Sequence, residues 1–165
     1  MTGERASGRG IMWLTVLIAL LLQVMPLPHA LQAFRPDWVL LTLFYWVLTL
    51  PHRFNIISAC LVGVILDVLM GGTMGVRGLG FALVAFVVAV QYQKLRHFTV
   101  VQQLLLVGLL AALAHLVVFL VEYLTSPELS VAFSPAYLQP AVFTAILWPW
   151  AFWLLGRIRR RFKIR

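Results

Sequence analysis

Between positions 100 and 124 the sequence holds no lysine, arginine or aspartate and a single glutamate, Glu122, and comparable apolar runs recur along most of its 165 residues. These runs are continuous. They lack the alternation of period two that a membrane β-barrel strand requires, so they read as helices long enough to cross a hydrocarbon layer. Apolar residues make up 62% of the chain and charged ones 11%, against roughly 45–50% and about 25% in soluble domains, with mean hydropathy +0.97. A water-soluble fold and intrinsic disorder are both excluded. The length allows one domain.

Proline, glycine and charge divide the runs into six predicted spans. The first covers about 11–31 and is expected to bend at Pro26 and Pro28. A short second span starts with Pro36 as its first helical residue and stops by Leu50. It is expected to form a hairpin, through Pro51-His52-Arg53, with a third span over about 54–70. The fourth follows the turn Gly71-Gly72-Thr73-Met74-Gly75 and ends near Tyr92, the fifth covers 100–124 and the sixth 137–156. The predicted division is a cytoplasmic segment 1–10, a six-helix transmembrane domain 11–156 and a basic tail 157–165.

Six spans put both termini on one side. That side then holds Arg5, Arg9, Arg53, Lys94, Arg96, Arg157, Arg159, Arg160, Arg161, Lys163 and Arg165, while Arg35 and Arg77 fall on the other. By the positive-inside rule the arginine-rich side is cytoplasmic. The net charge of +8 therefore points to membrane topology, not to nucleic acid. A cleaved signal peptide is disfavoured, because Ala30-Leu31-Gln32-Ala33 is no A-x-A site and two prolines precede it. Tryptophans near the predicted span ends (Trp13, Trp38, Trp148, Trp150, Trp153) read as interfacial belts. Ser126-Pro127-Glu128 opens either a short surface helix or an irregular loop.

Ionisable groups inside lipid need partners. Asp67 lies one turn from the end of the third span, Arg77 enters the fourth at the same level, and Glu122 nears the same boundary on the fifth. A cluster of Asp67, Arg77 and Glu122 is expected there. Its two readings are a structural lock between the third and fourth helices and a polar site facing outward. Ala59, Gly63, Asp67, Gly71 and Gly75 recur every four residues, and up to Gly71 they form one stripe that lets another helix approach, either inside the bundle or from a partner. His115 is the deepest ionisable group and is expected to make an interhelical hydrogen bond while neutral. The tail carries Leu155, Ile158 and Phe162 on one helical face among its arginines, which suits either anionic lipid or an acidic partner.

Catalytic signatures are missing. There is no H-E-x-x-H or G-x-S-x-G, and a single intramembrane aspartate where an aspartyl protease needs two. The lone Cys60 offers neither a disulfide nor a zinc site, and no cofactor motif is present: Gly75 to Gly80 lacks the P-loop pattern. The chain is not expected to be an enzyme.

The runs Arg35-Pro36-Asp37-Trp38-Val39-Leu40-Leu41, Tyr45-Trp46, Leu50-Pro51-His52-Arg53, Gly63-Val64-Ile65-Leu66-Asp67, Gly71-Gly72-Thr73-Met74-Gly75-Val76-Arg77 and Leu147-Trp148-Pro149-Trp150 resemble the rod shape-determining MreD family of Gram-negative bacteria. The resemblance covers nearly the whole chain. It implies a non-catalytic inner-membrane subunit of the cell-elongation machinery, working beside MreC, MreB, RodA and its class B penicillin-binding protein partner. It also implies a helical arrangement similar to the substrate-binding subunits of energy-coupling-factor transporters. Gly63, Asp67, Gly71, Gly75 and Arg77 carry over as a motif, not as an active site. The competing expectations are a small-molecule-binding subunit of a transporter, with Asp67, Arg77 and Glu122 lining its pocket, and a lipid-precursor flippase using His115.

Overall fold

The structure, a computed structural model, describes residues 3–26, 28, 34–125 and 138–162, with side chains from residue 8 onward. These form six helices: α1 (Gly3–Val24), α2 (Trp38–Thr49), α3 (Ile56–Met70), α4 (Val76–Leu95), α5 (Val100–Thr125) and α6 (Gln139–Arg161). Three of them, α4, α5 and α6, are long and apolar enough to cross a membrane, while the apolar stretches of α1, α2 and α3 are shorter.

The boundaries depart from expectation at proline and arginine. Helix α1 ends at Val24, so Pro26 and Pro28 follow the helix instead of bending it. Helix α2 starts two residues later than expected because Asp37 takes the N-cap: its Oδ1 accepts from the backbone N–H of Leu40 at 3.1 Å. Helix α6 continues across Pro149 and past Gly156 to Arg161, so the first part of the basic tail is a rigid extension of the last span. The predicted helix or loop at Ser126, Pro127 and Glu128 lies outside the described residues, as do Leu31, Lys163 and Arg165.

Helix α2 is the centre of the bundle. Every residue from Val39 to Leu48 is buried, the state of a helix that is apolar all round. It packs on α1, α4 and α6, with a smaller contact to α5. The hairpin expected between the second and third spans is replaced by a divergence: α3 leaves α2 after the turn and lies chiefly along α4. The physical reason is the difference between the two surfaces. An all-apolar cylinder gains from neighbours on every side, whereas α3 has one small-residue stripe to bury.

Two tryptophans join the core because their indole N–H groups find partners inside. Trp46 Nε1 donates to Thr15 Oγ1 at 2.9 Å, and that hydroxyl donates to the carbonyl of Met12 at 2.7 Å. Trp148, expected in an interfacial belt, is fully buried edge-on against Phe44, with Nε1 donating to Gln103 Oε1 at 3.4 Å. The Gln103 amide in turn donates to the carbonyl of Leu95, tying the end of α4 to the start of α5. Trp13, Trp150 and Trp153 stay about half exposed.

Candidate functional site at the α3–α4 turn

Helix α3 ends in a left-handed cap. Gly71 adopts φ +65°, and the N–H of Gly72 reaches back to the carbonyl of Asp67 at 3.0 Å. Gly75, at φ +88°, is the N-cap of α4 and has no side chain to offer the first N–H groups. Asp67 supplies what is missing from across the turn. Its carboxylate accepts from the backbone N–H of Arg77, at 3.1 Å to Oδ2, and from Arg77 Nη1 at 3.2 Å to Oδ1.

This settles an apparent conflict in the sequence. An anion one turn from the C-terminus of α3 opposes that helix's dipole, but the same carboxylate sits on the positive end of α4, where a dipole and a guanidinium both favour it. Asp67 is wholly buried, while the Arg77 side chain keeps 29% of its surface exposed.

Gly63 and Gly78 bring the two backbones together four residues below. A Cβ on Gly63 would lie 2.5 Å from Gly78 Cα, so neither chain has room for even a methyl group at this crossing. Ala59 is fully buried on the same stripe. Gly71 and Gly75 serve differently: a Cβ at either would meet nothing within 4 Å, and their role is the positive φ of the turn.

Glu122 does not join the cluster. Asp67 pairs with Arg77, and His115 approaches Asp37. Helix α5 contributes His115 instead, whose Nε2 stands 3.8 Å from Asp37 Oδ2, beyond direct hydrogen-bonding reach. That nitrogen is buried without a hydrogen-bond partner. Beside it a cavity of about 20 Å³, lined in part by Asp37, Arg77 and His115, has room for one water to bridge them. The direct interhelical bond expected of His115 is therefore not made.

Asp37 is the residue that sequence reasoning passed over. Besides capping α2, its N–H donates to Thr144 Oγ1 at 2.8 Å, and that hydroxyl donates to the carbonyl of Pro140 at 2.6 Å. One residue thus joins α2 to the start of α6. An aspartate directly before an apolar run is a cap signature, and it was available in Arg35-Pro36-Asp37-Trp38. Thr144→Val should lower stability by about 1–2 kcal/mol by leaving a buried N–H unpaired. Asp37→Ala should cost about 1 kcal/mol as a lost cap alone, and more through His115. Thermal melts in detergent should show the two changes to be close to additive, since the bond to Thr144 is made by the Asp37 backbone N–H, which alanine keeps, and Asp37→Ala removes only the side-chain cap.

Of the basic tail, Arg157, Arg159, Arg160 and Arg161 lie within α6, and the Arg157 guanidinium stacks over the Trp153 ring at 3.9 Å. Among the described residues no group of three or more His, Cys, Asp or Glu is placed to hold a metal ion.

Six apolar helices closed at one end by a buried ion pair and a capped turn define an all-helical membrane protein whose polar residues hold helices to one another. Residues 4–158 match the family described as rod shape-determining protein MreD. The chain is also 35% identical over 159 residues to the Rod shape-determining protein MreD of Haemophilus influenzae, an alignment covering 93% of this chain and 96% of that protein. It belongs to the MreD family, and with that goes a role in rod shape determination. No solved structure matches it.

Proposed function

We propose that this MreD-family protein is a non-catalytic inner-membrane subunit of the cell-elongation complex. In this reading it regulates lateral peptidoglycan synthesis and cell shape by binding MreC and by linking it to MreB and to RodA with its class B penicillin-binding partner. Six spans, both termini cytoplasmic and an arrangement like the energy-coupling-factor subunits belong to the same proposal. The charge asymmetry supports that orientation, with the 71–75 turn in the periplasm and the arginines of α6 in the cytoplasm.

The observation that carries the reading is the turn itself. Gly71's left-handed cap, the Asp67–Arg77 pair and the Gly63–Gly78 crossing brace it from three directions, yet it presents Met74 at 71% exposed and Met70 at 41%. A rigid turn loses little entropy on binding, and methionine adapts to an apolar partner surface. The transporter-like alternative, with Asp67, Arg77 and Glu122 lining its pocket, needs roughly 300 Å³ or more at that place. The polar cavity beside Arg77 holds about 20 Å³.

In membranes from cells expressing a tagged chain, MreC is expected to co-purify. Met74→Glu should reduce that recovery about tenfold, the effect of losing one apolar anchor, with the melting temperature of the purified protein unchanged. Recovery indifferent to Met74→Glu would take the turn out of the interface, and no recovery of MreC from the parent chain would remove the partner.

A further inference from the structure

A second surface is unexplained by the turn. Helices α1 and α6 flank α2 and leave a slot of about 440 Å³ between them, running from Leu22 and Trp38 at one end to Thr15 and Ile158 at the other. Its walls are almost entirely hydrocarbon. The two hydroxyls that border it are spent inside the protein: Thr15 bonds Met12 and Trp46, and Thr42 Oγ1 donates to the carbonyl of Trp38 at 2.9 Å. The occupied part of any ligand must therefore be apolar as well, and the volume falls within the roughly 300–1,000 Å³ of built small-molecule sites.

Charge marks one end of the slot. On α6 the lining residues Leu154 and Ile158 are followed on the same helical face by Arg161, three residues beyond Ile158, while Arg157 lies three beyond Leu154. Arg157 and Arg161 are both exposed. A hydrocarbon slot with two exposed arginines just beyond its end on α6, one of them with its guanidinium over the Trp153 ring, matches one molecule of the surrounding membrane: a lipid with an apolar tail and an anionic phosphate.

We propose that this slot is a binding site for an anionic phospholipid, one acyl chain lying between α1 and α6 over α2 and the phosphate held by Arg157 and Arg161. The site is separate from the α3–α4 turn, and it stands whether or not the turn binds MreC. It also fixes the angle between α1 and α6, because the lipid chain fills the gap that the two helices do not close.

Native mass spectrometry of the purified full chain, titrated with dioleoyl phosphatidylglycerol or dioleoyl phosphatidylcholine, tests the assignment without any partner protein present. The parent chain is expected to retain phosphatidylglycerol in preference. Arg161→Gln and Arg157→Gln should each weaken that binding about fivefold, the worth of one basic side chain near an anionic surface. Ala151→Phe, which fills the slot from α6, should abolish it, and Ile18→Trp, at a half-exposed lining position, repeats the test should Ala151→Phe fail to fold. Equal retention of the two lipids, unaffected by the arginine changes, would mean adventitious hydrocarbon contact and overturn the site. So would phosphatidylglycerol binding that survives both slot-filling variants. Photocrosslinking from position 18 in intact membranes that captured a protein helix in place of lipid would overturn it too.

Discussion

Gly63→Ala is expected to destabilise the protein by about 3 kcal/mol, the upper end of what an inserted methyl costs in a packed interior. The added carbon would lie 2.5 Å from Gly78 Cα, 2.7 Å from Gly78 N and 2.9 Å from the Arg77 carbonyl carbon. All three are backbone atoms, so no side chain can rotate away and α3 must move off α4. Gly63→Leu should prevent the pair from forming. The control is Gly10→Ala, where the new methyl meets nothing within 4 Å and the helix should lose no stability. Melting of purified variants gives the energies. Cell shape gives the consequence: the Gly63 variants should produce rounded cells and the Gly10 variant rods. A Gly63→Ala protein that melts with the parent would show that the two backbones do not cross here.

Asp67→Ala should have the next largest effect. It removes both the countercharge of Arg77 and the acceptor for an N–H of the first turn of α4. Breaking a buried pair typically costs 3–5 kcal/mol, but the Arg77 guanidinium is partly solvated, which brings the expected loss to about 2–3 kcal/mol. Asp67→Asn keeps an acceptor for the N–H and should lose less. The cycle completed by Arg77→Leu separates the pair from its surroundings: the double variant should recover part of the loss, and strict additivity of the two single changes would mean that they do not interact.

Asp67 and Arg77 illustrate how much of this site could be read in one dimension. Ten residues apart and on either side of a glycine turn, they had to arrive at one depth, and the cost of an unpaired charge in lipid did the rest. Glu122 met the same depth criterion and failed, because depth says nothing about which side of α5 faces α4. Asp37 and His115, from spans separated by nearly half of the chain, approach each other only because α2 is sunk to the centre, and no local pattern announces that.

Helical class, the positions of α2 to α5 to within a few residues, the glycine turn and the apolar character of the helices all follow from the sequence, since they depend on how each residue partitions between water and hydrocarbon. The central place of α2, the burial of Trp148, the Gly63–Gly78 crossing and the slot beside α6 arise only in three dimensions. The reason lies in the solvent. Lipid tails are as apolar as leucine, so a hydrophobic residue carries no mark telling whether it will face a lipid or another helix. That choice falls to shape, to the fit of small residues and the reach of a few hydrogen bonds, and these act between surfaces that the linear order does not bring together.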